Sequence, residues 1–152
     1  MLRLPRATVM WDIGPIDGDA DRSTEAKLIH EKQIQIQWLA EPEEHDYPAA
    51  ESYLNLLYDK KTTARLVEQL KGTKVNSFKA KDIFRASALS LLGVSNSHVE
   101  KDLEKIRNGR KLSPLLLVRD EKHAKVIIAD GYHRLCAVYS FDEDAMIPCK
   151  IV

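Results

Sequence analysis

Five consecutive residues, Asp130-Gly131-Tyr132-His133-Arg134, bring a carboxylate, an imidazole and a permanent cation together around a glycine. The run before them, Lys125-Val126-Ile127-Ile128-Ala129, is apolar and β-branched. After them, Leu135, Val138 and Tyr139 fall at helical spacing, so a buried strand passes through a tight turn into a helix. Asp130 suits the N-cap, Gly131 permits close backbone approach, and Tyr132, His133 and Arg134 occupy the first turn, whose N–H groups lack intrahelical partners. A helix start of this kind attracts an anion, and Arg134 offers a planar fork of donors matched to phosphate. The same residues also fit a structural role in which Asp130 caps the helix and Arg134 pairs with it or with an acidic loop residue. Magnitudes separate the two: losing Arg134 should weaken phosphate binding by roughly 1.5 to 3 kcal/mol if it is a ligand, and cost the empty protein that much if it is a clamp.

On either side of this junction stand Gly109-Arg110-Lys111-Leu112-Ser113-Pro114-Leu115-Leu116-Leu117-Val118 and Met146-Ile147-Pro148-Cys149-Lys150-Ile151-Val152. A Leu-x-Pro entry into a strand, a second strand, a Gly-x-x-Arg helix start and a closing Ile-Pro strand together resemble the core of the ParB/sulfiredoxin-like superfamily, over roughly residues 97 to 152. Within it, Asp130-Gly131-Tyr132-His133-Arg134 is most similar to the Asp-Gly-His-His-Arg type of the free-serine kinase branch. The whole chain, with Glu43-Glu44-His45-Asp46-Tyr47-Pro48 and Lys79-Ala80-Lys81-Asp82-Ile83, also resembles uncharacterised bacterial ParB-like proteins.

The resemblance implies three kinds of chemistry. The kinase branch implies phosphoryl transfer from a nucleotide to a small hydroxylated acceptor, with His133 and Arg134 neutralising phosphates and positioning supplying most of the catalysis. The ParB side implies a nucleotide-sensing or DNA-associated module without catalysis, although Gly131-Tyr132-His133-Arg134 departs from its Gly-Glu-Arg-Arg pattern and no helix-turn-helix is evident after it. Sulfiredoxin chemistry needs Gly-Cys-His-Arg, and Tyr132 stands where the nucleophilic cysteine belongs. Common to all three is phosphate or nucleotide binding by Asp130, Gly131, Tyr132, His133, Arg134 and Ser113, the ligand being ATP, ADP or CTP, with or without magnesium.

An acidic base for phosphoryl transfer would come from elsewhere. Glu41, Glu43, Glu44 and Asp46 cluster with His45 in a loop carrying Pro42 and Pro48. Glu44 and Asp46 join His133 as the candidate catalytic residues. The alternative is a solvated acidic loop in which Asp46 caps the helix that Pro48 begins.

With 44% hydrophobic and 30% charged residues in 152 and a formal net charge of +0, the chain describes a soluble globular protein rather than a globally basic nucleic-acid binder. A local basic patch remains open, either on Lys79, Lys81 and Arg85 or on Lys105, Arg107, Arg110 and Lys111. No apolar run is long enough to span a bilayer and no signal-peptide pattern opens the chain, so the cytoplasm is expected and a membrane partner is not. The oligomeric state is left open. Cys136 and Cys149 are not spaced as a metal pair and read as buried free thiols. Asp17, Asp19 and Asp21 fail as a calcium loop because Arg22 and Leu28 replace its Gly and Glu, and His30-Glu31 fails as a zinc motif because Ile34 replaces the second His.

Positioning these groups calls for one domain, with an N-terminal arm and helical portion over about 1–96 and the core over about 97–152. Residues 1 to 23 read as loop or arm. A helix is expected from Ser23 or Thr24 to Ile29, a possible strand over Gln33 to Trp38, and two packed helices through Tyr53, Leu54, Leu57 and Tyr58 and through Leu66, Val67 and Leu70 to Gly72. Residues 73 to 78 read as a connection and Lys79 to Leu92 as a helix ending at Gly93. Ser97-His98-Val99-Glu100 has capping-box spacing and opens a helix that stops at Gly109. Leu115–Arg119 and Lys125–Ala129 are joined by too short a loop for a crossover and must be antiparallel, and a last strand covers Ile147–Val152. The fold class is α+β: a small mixed sheet containing a β-hairpin and a strand-helix-strand core, with an N-terminal helical portion.

Overall fold

In the computed structural model, residues 22–27, 34–93 and 96–152 are described. The chain falls into two units, Met1–Gln33 and Ile34–Val152. Of the first, residues 22–27 are helical with exposed side chains. The Asp17, Asp19, Asp21 series, the arm before it, and His30-Glu31 lie outside the described residues.

The second unit is mixed α+β, as the sequence leads one to expect. Its elements are β1 (Gln37–Trp38), α1 (Asp46–Leu54), α2 (Lys60–Gly72), β2 (Asn76–Lys79), α3 (Ala80–Ser87), α4 (Ser97–Arg107), β3 (Lys111–Leu112), β4 (Leu115–Asp120), β5 (Lys125–Asp130), α5 (Tyr132–Phe141) and β6 (Met146–Ile151). A 3-10 turn, Glu121–His123, closes the β4–β5 hairpin. Four strands form a mixed sheet in the order β2-β6-β4-β5. The β4–β5 and β2–β6 pairs are antiparallel, while β6 lies parallel to β4. Strand β5 therefore hands the chain to α5, which carries it over the sheet to the far side of β4. Apart from this sheet, β1 and β3 form a two-stranded parallel ladder.

Alternation along the strands divides the core between the two faces of the sheet. Leu116, Val118 and Ala129 pack with Tyr47, Ala50 and Leu54 of α1 and Val67 and Leu70 of α2. Leu115, Leu117 and Ile128 face the other way, onto Ile83 of α3, Val99, Leu103 and Ile106 of α4, and Leu135 to Val138 of α5. Helices thus cover both faces, which is why β4 is buried from Leu115 to Val118 without a polar interruption. Cys136 and Cys149 are buried free thiols, and burial pushes the Cys149 thiol up to about 12. Among the described residues no helix is long and apolar enough to cross a membrane.

Several boundaries differ from the sequence reading, each for a local reason. Residues 76–79 form an edge strand, although all four are exposed and leave no alternation to read. Helix α3 stops at Ser87 because Ala88 turns left-handed at φ 54°, well short of Leu92. Helix α4 is capped by Asn96, whose side chain accepts from the His98 and Val99 amides, so the capping-box Ser97 is its first helical residue. The period-two stretch before Trp38 is strand only over Gln37–Trp38 among the described residues.

Candidate functional site

The junction between β5 and α5 is built as a strand, one glycine and a helix. Asp130 is the last residue of β5, and the N-cap of α5 is Gly131, at φ 105°. A capping Asp130 is therefore corrected: its carboxylate accepts from Arg134 Nη2 at 3.0 Å, one turn up the helix. Among the described residues, no side chain caps α5. At the start of α3, by contrast, the amides of Ala80 and Lys81 donate to the carbonyls of Ala145 and Glu143. Gly131 is required twice over: its φ suits glycine, and a Cβ there would lie 2.7 Å from Leu115 Cγ and 3.0 Å from Arg134 Nη2.

Arg134 ties this turn to the acidic loop. Its Nη2 lies 3.9 Å from Asp46 Oδ2, and its Nε is buried without a hydrogen-bond partner among the described residues. Asp46 is itself buried. It accepts from the Ser113 hydroxyl and, at 3.2 Å, from the Glu43 amide. Two carboxylates thus converge on one guanidinium. Burial raises Asp130 above the usual carboxylate range; Arg134 opposes that rise and the neighbouring Asp46 adds to it.

Two cavities open on either side of the turn and share Asp130, Gly131, Tyr132 and His133 as a common rim. One, of about 230 Å³, is polar, and its remaining walls are His98, Lys101, Asp102 and Lys105 of α4 together with Arg134. Lys105 is paired with Asp102 at 3.2 Å, whereas Lys101 has no ion-pair partner among the described residues. The imidazoles of His133 and His98 lie against each other at 4.8 Å between centroids. The other cavity, of about 400 Å³, is lined by Ala49 and Tyr53 of α1, Leu89, Ile128 and Ala129. The Tyr132 hydroxyl donates to the Ser90 carbonyl, in the segment that follows α3.

The sequence-derived site is assembled in part. Asp130, Gly131, Tyr132 and His133 line both cavities, and Arg134 the polar one. Ser113 reaches the site only through Asp46, which it holds in place. Asp46 lies beside Arg134 with its side chain 3% exposed, and Glu44 is exposed and walls neither cavity. The residues that sequence reasoning missed are His98, Lys101, Tyr53 and Leu89. For His98, Lys101 and Lys105, the helical spacing along the shoulder of the Val99, Leu103 and Ile106 stripe was the available signal.

Donor atoms of Glu43, His45 and Asp46 lie within 4.8 Å of one another, as a cation site would require. None of the three lines either cavity, and His45 Nε2 already lies 3.4 Å from both Glu43 Oε2 and Asp46 Oδ1. This set does not fit the magnesium of a nucleotide held at the turn. The basic face of α3 is engaged as well, with Lys81 2.6 Å and Lys79 3.9 Å from Asp144 and Arg85 4.0 Å from Asp82. Comparison of the chain with protein-family models, with curated proteins and with solved structures finds no match in any of the three.

Proposed function

We propose that this protein binds the phosphate groups of a nucleotide at the start of α5. The observation that carries the reading is the polar cavity in which the uncapped first turn of a ten-residue helix meets His98, Lys101 and Lys105 from α4. Helix start and cations supply the two things a phosphate needs, backbone N–H donors and compensating charge. The likeness of the hairpin, the Gly-x-x-Arg turn and the closing Ile-Pro strand to the ParB/sulfiredoxin-like core supports the same reading.

Binding without turnover is favoured over phosphoryl transfer. Every carboxylate near the cavity has a partner: Asp130 holds Arg134, Asp102 holds Lys105, and Asp46 is buried against Ser113. A general base must be within reach of the acceptor hydroxyl, and none of these is unengaged. A thermal-shift screen against ATP, ADP and CTP, with and without magnesium, tests the reading, since a ligand that binds the native state raises its melting temperature with concentration. Stabilisation by a nucleotide that is lost in Lys101→Ala or Lys105→Ala is the expected result. A flat response across the panel would overturn it, and nucleotide consumption on adding a small hydroxylated acceptor would restore the phosphotransferase alternative.

A further inference from the structure

We infer that the second cavity takes the base of the nucleotide, so that the ligand straddles the Gly131 turn with its phosphates against α4 and its ring against Tyr53. The inference rests on the phosphate reading and adds the class of group attached to those phosphates. Both cavities are rimmed by the same four residues, Asp130 to His133, so a group leaving the polar one across the turn enters the other. Its character changes sharply there. Ala49, Leu89, Ile128 and Ala129 present hydrocarbon, and Tyr53 presents an aromatic face.

Exposure points the same way. Tyr53 and Leu89 are two of the seven large apolar side chains left exposed among the described residues, at 41% and 44%, and they are the two that meet over Ile128 and Ala129 of β5. Tyr53 comes from α1 and Leu89 from the segment after α3, and together they wall one concave space. A planar ring stacked on Tyr53 would cover both. Apart from the shared rim, the Tyr53 hydroxyl is the one side-chain donor or acceptor among the described residues that line this cavity. Recognition therefore comes from stacking and apolar contact, which makes purines bind more tightly than pyrimidines without excluding either.

The test compares inorganic tripolyphosphate with ATP and CTP by calorimetry on the full chain. Tripolyphosphate should bind, ATP should bind more tightly and CTP should fall between them. Tyr53→Ala should weaken ATP by roughly tenfold, the loss of one base–aromatic stack, while leaving tripolyphosphate unchanged, and Tyr53→Phe should retain ATP affinity. Leu89→Asp, at an exposed position, should show the same selective loss, and unchanged tripolyphosphate affinity certifies that each variant is folded. If tripolyphosphate binds and ATP is no tighter, or if Tyr53→Ala weakens both equally, the base site is overturned while the phosphate reading stands. If neither ligand binds, both fall.

Discussion

Arg134 and Asp130 meet at 3.0 Å across the strand-to-helix turn, joining the last residue of β5 to the first turn of α5. Asp46, the first residue of α1 on the opposite face of the sheet, stands 3.9 Å from the same nitrogen. One guanidinium therefore serves as wall of a cavity and as the charge that makes two sequestered carboxylates tolerable.

Removing it should act first on stability. Arg134→Ala strands Asp46 and Asp130 against each other, and breaking such a pair costs about 2 to 4 kcal/mol, discounted for the partial exposure of Asp130. Urea denaturation of the empty protein measures this directly. A loss under about 0.5 kcal/mol would show the guanidinium to be free for ligand rather than a clamp.

Gly131→Ala combines a backbone penalty with a steric one. The φ of 105° is unfavourable for alanine, and the added Cβ would press on the fully buried Leu115. About 1 to 3 kcal/mol of destabilisation is expected, read as a lowered denaturation midpoint. A neutral result would mean that the turn relaxes freely.

A pH dependence follows from Asp130. Its carboxyl is held above the ordinary 3.8 by burial, with Arg134 opposing and Asp46 reinforcing the rise. Between 3.8 and the raised value, the native state binds more protons than the unfolded chain, so this group makes stability fall as pH rises through that window. Asp130→Asn should remove that fall. Urea midpoints at several mildly acidic pH values would show it; a wild type that instead gains stability over this window relative to the Asn variant would indicate that the ion pair outweighs burial.

Lys150 offers a prediction away from the turn. It is 4% exposed, donates to the Lys71 carbonyl at 3.1 Å at the end of α2, and lies 2.9 Å from Glu41 Oε2 and 5.9 Å from the centre of the Tyr47 ring. Lys150→Met keeps the volume and removes the ammonium, and should cost about 1 to 2 kcal/mol in chemical denaturation. An unchanged midpoint would show that packing alone holds α2 to β6.

What was legible in the sequence was what local chemistry determines. The β4–β5 hairpin, α5 and β6 announced themselves through apolar runs, with Asp130-Gly131 marking the passage from β5 into α5. Strand β2 did not, because none of Asn76 to Lys79 is fully buried and they owe their state to pairing with β6. Helix α3 overran its end on paper because Ala88 to Leu92 are compatible with a helix, and only the left-handed turn at Ala88 stops it. At the site, the turn itself was visible, whereas the convergence of Asp46, Ser113 and Arg134 depends on tertiary packing that no spacing encodes. Tyr53 read only as an apolar helix position, and its place beside Gly131 follows from α1 lying across β5.

The bond between Ser113 and Asp46 closes a loop of 67 residues, and the Glu43 amide reaches the same hydroxyl over 70. The hairpin and α5 are neighbours in sequence and can form by short-range encounters, whereas the acidic loop must be brought back across the intervening chain at an entropic cost that grows with the logarithm of the loop. The contact between Arg134 and Asp46 is therefore expected to form late in folding. In stopped-flow refolding, native-like helical signal should recover ahead of the step that buries Asp46, and Ser113→Ala should accelerate unfolding while leaving the rate of refolding almost untouched.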